Sequence, residues 1–172
     1  MKLSRLFPLL ALLLAASLHA ENTHKEVRIA SPWPAQNTII AMLGYGDNIV
    51  GTSMIAKRIP LFRQSLPRIE KVAAVSVNSG HEINPEQIIA LGVDMLFVPH
   101  NMVVPQQALL KQAGVQVLAF EANSLRALTQ RVQQTAAVLG PDAQQKALAY
   151  QRYFDQIGRA SCRERVSRVV LI

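Results

Sequence analysis

The sequence predicts an α/β fold, a three-layer α/β/α lobe on a mostly parallel sheet followed by the start of a long helix. Three observations carry this. Short apolar segments alternate with helical ones from residue 27 to residue 139, the order that builds parallel strands joined by right-handed crossovers. Residues 95–98 (MLFV) are apolar without alternation, as a strand covered on both faces requires. The helix feeding that strand is fully signalled in residues 84–92 (NPEQIIALG). Asn84 caps it, Pro85 suits its first turn, Glu86 sits where the helix dipole favours an acid, and Gly92 offers a left-handed stop.

From the amino end, residues 1–20 carry Lys2 and Arg5, an apolar run, then small residues up to Ala20. This is the pattern of a secretory signal peptide, and the run is too short to span a bilayer. Residues 27–31 (VRIAS) form a first strand, stopped by Pro32-Trp33-Pro34 because neither proline donates a ladder hydrogen bond. Residues 35–44 place Ile39, Ile40, Met42 and Leu43 at helical spacing, with Gly44 and Gly46 as terminators. Met42 and Met95 are expected in the core. Residues 48–53 (NIVGTS) form a second strand, and residues 54–68 read as an excursion or short helix without a clean period.

Residues 71–75 make a third strand, and residues 76–83 (SVNSGHEI) a polar loop around Gly80. Beyond the 84–98 helix-strand unit, residues 105–113 form a helix ended by Gly114, and residues 115–120 (VQVLAF) the next strand. Ser124 caps a long amphipathic helix with Leu125, Leu128, Val132, Ala136 and Leu139 on one stripe. Gly140-Pro141 closes it, and Asp142 caps another helix carrying Ala143, Ala147, Tyr150 and Phe154. No stop signal ends this helix by residue 156.

Residues 157–166 (IGRASCRERV) match the translation of a common short-read sequencing adapter. The natural sequence is therefore expected to stop near Gln156, with residues 157–172 an artefact of a truncated read. The resulting plan is a signal peptide at 1–20, an α/β lobe at 21–140, the start of a further helix at 141–156, and the artefact.

The chain has 172 residues, 50% of them apolar, enough for one cored domain but not two. Its formal charge of +7 sits mostly at the ends. Between residues 21 and 156 there are 12 Lys and Arg against 10 Asp and Glu, a net +2. Nothing there calls for nucleic acid. The single cysteine, Cys162, lies in the adapter-like tail. The rest needs no disulfide or redox chemistry, which suits an exported, periplasmic protein.

Ligands on such sheets collect at the carboxyl ends of the strands. Trp33 and Pro34 stand at the first of these ends, Ser53 and Met54 at the second, and His81 and His100 at later ones. Trp33 offers a ring to stack on a flat or bulky ligand, or else covers the sheet edge. His81 and His100 suit a metal chelate or its acidic groups, the alternatives being a solvated loop histidine and a histidine held by its neighbours. Arg58, with Lys57 and Arg63, suits an anionic chelate or forms a solvated face. No cofactor and no direct metal site are expected, since there is no close histidine pair and no usable cysteine. An enzyme is not expected either. Gly44, Gly46 and Gly51 do not spell GxGxxG and follow a helix, and no GxxxxGK[ST], GxSxG or HExxH occurs. An exported Rossmann-like enzyme stands as the alternative.

The succession VRIASPWPAQNTIIAMLGYGDNIVGTS, LPRI, NPEQIIALGVDMLFVP, LLKQAGVQVLAF and SLRALTQRVQQTAAVLG resembles the amino-terminal half of the iron-siderophore and vitamin B12 class of periplasmic substrate-binding proteins. The likeness runs from about residue 27 to residue 156, with Gly92-Val93 where that class commonly has Lys-Pro. It implies two α/β lobes joined by one long helix, of which residues 141–156 would be the start. It implies a ligand held between the lobes and passed to a membrane permease with a cytoplasmic ATPase. The ligand would be a metal chelate of iron-siderophore type or, within the same class, cobalamin, haem or a nickel chelate. An exposed acid on each lobe would meet the permease; Glu70 and Glu86 are candidates, beside Glu82. A monomer reaching the membrane only through its permease is implied, and half a cleft is expected to bind weakly or not at all.

Overall fold

In a computed structural model that describes residues 27–77, 82–121 and 124–169, strand and helix alternate as expected. β1 (Ile29–Ala30) leads through α1 (Pro34–Met42) to β2 (Ile49–Thr52), and α2 (Met54–Arg58) with α3 (Pro60–Ser65) leads to β3 (Ala73–Ala74). β4 (Ser76–Val77) and β5 (Glu82–Ile83) precede α4 (Pro85–Ala90), β6 (Met95–Pro99), α5 (Gln107–Gln112) and β7 (Gln116–Phe120). The long helices α6 (Leu125–Leu139) and α7 (Pro141–Val169) follow.

The main sheet has the order β3-β2-β1-β6-β7 with every pair parallel. The chain builds outward from β1 through β2 and β3, then returns to β1's other side with β6 and continues to β7. β1 and β6 therefore flank a topological switch point, where the connections on either side leave over opposite faces and open a crevice at the strand carboxyl ends.

Side chains alternate across the pleat. Ile29 and Phe97 face a layer made by Ile40 of α1, Phe62 of α3, Val132 and Ala136 of α6, and Ala143 and Ala147 of α7. Ala30, Leu96 and Val98 face the other layer, which includes Ile83, Ile88 of α4 and Leu110 of α5. The three-layer α/β/α lobe is thus present, and the charge-free 95–98 run is explained by cover on both faces.

The local signals act as expected. Asn84 Oδ1 accepts the Gln87 N–H at 3.1 Å, and Ser124 Oγ accepts the Ala127 N–H at 3.0 Å. Gly92 and Gly114 stop their helices at φ +58° and +84°, conformations that glycine adopts without a Cβ penalty. Gly51 serves otherwise, because a Cβ there would lie 2.7 Å from Val75 Cγ1.

Five expectations need correction. Residues 54–70 hold two short helices and the 3-10 turn Pro67–Glu70, because Pro60 and Pro67 each open a new turn. At the two ends of the loop expected at 76–83, Ser76–Val77 and Glu82–Ile83 pair antiparallel as β4 and β5. Met42, in the last turn of α1, is 39% exposed rather than core. The 105–113 helix begins at Gln107, after Gln106 turns left-handed at φ 51°. Asp142 sits in the first turn of α7 rather than capping it, with Gly140 at φ +113° making the bend. α7 is helical through Val169, past the adapter-like boundary. The proposed signal peptide lies outside the described residues. No helix among the described residues is long and apolar enough to cross a membrane.

Candidate functional site

The switch-point crevice is bordered by the turn that leaves β1. Ser31 is fully buried, and its N–H donates to Gly51 O at 2.9 Å, extending the ladder one residue past the strand. Its hydroxyl donates to Trp33 O at 3.3 Å and lies 3.4 Å from the Trp33 N–H. The Trp33 carbonyl also accepts the N–H groups of Gln36 and Asn37 at 3.0 and 3.1 Å. Trp33 is thereby the N-cap of α1, with Pro34 at its first position. The two prolines that end the strand fix where the indole starts.

Trp33 is half-buried, and the Arg131 guanidinium of α6 lies over its ring, 4.1 Å from the centroid. Arg131 is only 6% exposed, and its Nε has no hydrogen-bond partner. Burial pushes its pKa below the usual arginine range, and the Tyr150 side chain offsets part of that. One turn along α6, Thr135 Oγ1 accepts from Gln36 Nε2 at 2.8 Å. Asn37 Nδ2 donates to Thr52 Oγ1 at 2.7 Å, at the end of β2. Gln36, Asn37 and Thr135 are fully buried, and Gln36 Oε1 and Asn37 Oδ1 are left without partners. A polar layer therefore underlies the rim, in contact with Trp33 on one side and the apolar core on the other.

The residues singled out from the sequence fall into two groups. Trp33, Pro34 and His100 follow the neighbouring strands β1 and β6 and share the rim. His100 is exposed, and its N–H donates to Phe120 O at 2.9 Å. Ser53 and Met54 follow β2, the next strand over. Ser53 is buried and its hydroxyl caps α2 by accepting the Ala56 N–H at 3.2 Å, while Met54 is 48% exposed. Arg58, at the end of α2, is exposed, about 6 Å along the helix from Met54 at 1.5 Å per residue. Its neighbour Lys57 is committed to Val72 O at 2.8 Å.

Glu70 is exposed and lies 3.8 Å from Arg63. It precedes β3, so it belongs to the amino end of the sheet, away from the rim. Glu86 is exposed in the first turn of α4. His81 lies outside the described residues. Among the described residues no three of His, Cys, Asp and Glu converge to hold a metal ion.

Four residues of the site escaped the sequence reading: Gln36, Asn37, Arg131 and Thr135. A signal for them existed. Gln36 and Asn37 follow Trp33 by three and four residues, the spacing that shares a helix face, and Arg131 and Thr135 repeat that spacing beside the apolar Val132 and Ala136. A stacking ring backed by a cation, on a rim that also carries an exposed histidine, can hold a flat or anionic group.

A sequence model of the family described as periplasmic binding protein matches residues 29–167. No curated relative matches the chain. Among solved structures, the chain is similar to the iron uptake ABC transporter substrate-binding protein PiuA of Streptococcus pneumoniae, with 22% identity and a TM-score of 0.58 over 75% of this chain and 44% of that one. A periplasmic heme binding protein of Pseudomonas aeruginosa matches with 23% identity and a TM-score of 0.61 over 78% and 45%. The periplasmic vitamin B12 binding protein BtuF of Vibrio cholerae matches with 21% identity and a TM-score of 0.56 over 75% and 48%. The chain thus spans less than half the length of each.

Proposed function

The chain belongs to the periplasmic binding protein family, and from that premise we propose that it supplies one wall of the ligand cleft of an ABC importer's substrate-binding component. The ligand is a metal chelate of iron-siderophore type, taken up in the periplasm and passed to a membrane permease. Residues 1–20 act as the export signal, and residues 141–156 begin the helix that links to a second lobe.

One observation carries the reading. The half-buried Trp33 and the exposed His100 follow the paired strands β1 and β6, which flank the switch point, the place where open α/β sheets receive ligands. The same turn speaks against an exported Rossmann-like enzyme. In a dinucleotide-binding fold it holds glycines that let a pyrophosphate approach the backbone. Here it is Ser31-Pro32-Trp33-Pro34, with an indole and two rings in the way. Glu86 is the acid offered to the permease in preference to Glu70, because Glu70 sits beside Arg63 at the sheet's other end.

Trp33 is the single tryptophan of the sequence, so its fluorescence reports the site. Titration with a ferric siderophore should quench it saturably. One wall supplies roughly half the free energy of a micromolar-to-nanomolar site, so Kd should be on the order of 0.03–1 mM. Haemin and cyanocobalamin are the comparison ligands. Tighter quenching by either reassigns the cargo within the class, and failure of all three to quench ends the proposal.

A further inference from the structure

Resting on the reading of Trp33 as the ligand-facing ring, we propose that Arg131 is a specificity-determining residue that acts through it. Lodged against one face of the indole, the guanidinium makes the other face prefer anionic, electron-rich groups, so this wall selects cargo by charge as well as by flatness.

The surroundings of Arg131 support this. The side chain is 6% exposed and lies 4.1 Å from the ring centroid. Its Nε has no hydrogen-bond partner, and among the described residues no ion pair joins it to an acid; the resolved pairs, Arg63 with Glu70 and Arg68 with Asp47, are at the surface. Across the seam, Gln36 and Thr135 spend their hydrogen bond on each other. Burial pushes the guanidinium's pKa down, yet arginine stays protonated at neutral pH.

A buried cation without a counterion is a poor way to brace two helices, since an apolar side chain of similar volume would pack there at lower cost. The ring's quadrupole compensates part of the charge. The rest is a positive potential that low-polarity surroundings screen weakly. A group stacked about 3.5 Å beyond the ring would lie about 7.6 Å from the charge, where an effective dielectric near 20 favours an anion over a neutral isostere by roughly 40-fold.

Charged quenchers test this without any chelate. In the 172-residue chain, Trp33 emission is titrated with iodide, caesium and neutral acrylamide, with N-acetyltryptophanamide as the free-indole reference. The iodide-to-caesium ratio of quenching constants should exceed that of the free indole several-fold. Arg131→Met should bring the ratio down to the reference while changing acrylamide quenching less than about twofold, and Arg131→Lys should keep most of the excess. An unchanged ratio in Arg131→Met overturns the proposal. Should that variant fail to fold, a wild-type ratio no higher than the free indole's overturns it equally, and an excess retained in Arg131→Lys supports it. The result is independent of the siderophore titration, so the two readings can fail separately.

Discussion

The seam between α1 and α6 is closed by polar contacts of opposite character at its two ends. Beside the rim, Trp33, Gln36 and Asn37 meet Arg131, Thr135 and Thr52, and three buried atoms remain unpaired: Gln36 Oε1, Asn37 Oδ1 and Arg131 Nε. Past the far end of α1, Tyr45 Oη donates to Leu139 O at 2.8 Å and Asn48 Nδ2 donates to Val27 O at 3.0 Å. Neither leaves an unpaired buried atom. Tyr45 is buried much as Gln36 and Thr135 are, while Asn48 is only partly so, and at Tyr45 the difference lies in use. Polar groups that hold the fold are closed on each other, whereas those behind the rim keep capacity in reserve, at a cost in stability.

Removing the unpaired charge behind the rim and removing a closed contact at the far end should accordingly differ in sign. The largest effect is expected for Arg131→Met, which replaces an uncompensated buried charge and should stabilise the chain by about 2 kcal/mol in urea unfolding; a loss of stability would break the contrast. Thr135→Val strands the Gln36 amide without its acceptor and should cost about 1.5 kcal/mol by the same measurement. Tyr45→Phe should cost about 1 kcal/mol at neutral pH.

That last contribution also has a pH signature. Burial, followed by the charge of Asp142, raises the Tyr45 pKa above its ordinary 10.0. The folded phenol therefore keeps its proton where the unfolded one loses it. The stabilisation is complete below pH 10.0 and disappears as pH rises through the raised value. Stability measured against pH in wild type and Tyr45→Phe should diverge by a constant amount below that window and converge through it. The smallest effect is expected for the double variant Gln36→Leu with Thr135→Val, which removes both partners and should stay within about 0.5 kcal/mol of wild type.

What the sequence made legible was local or periodic. Asn84 and Ser124 cap through bonds to N–H groups three residues on, and Gly92 and Gly114 stop helices by their own backbone angles. The rim positions of Trp33 and His100 followed from where the strands end. The sheet order was not legible, because β1 pairs with β6 across most of the lobe. Arg131 was hidden for the same reason: the neighbouring Gln36–Thr135 contact joins positions 99 residues apart, and an arginine beside an apolar stripe ordinarily lies on the solvent side. The β4-β5 pairing was missed because only two residues pair on each strand and the segment is polar.

β1 is the shortest central element of the sheet, yet both its residues are wholly enclosed and both pair to neighbours on either side. The indole is anchored three residues from that strand, so shifting it sideways would mean dragging a clamped ladder with it. The rim is stiff where the indole leaves it. Any give at this rim must then come from parts hung less firmly from the sheet, such as the exposed start of α2 at Met54.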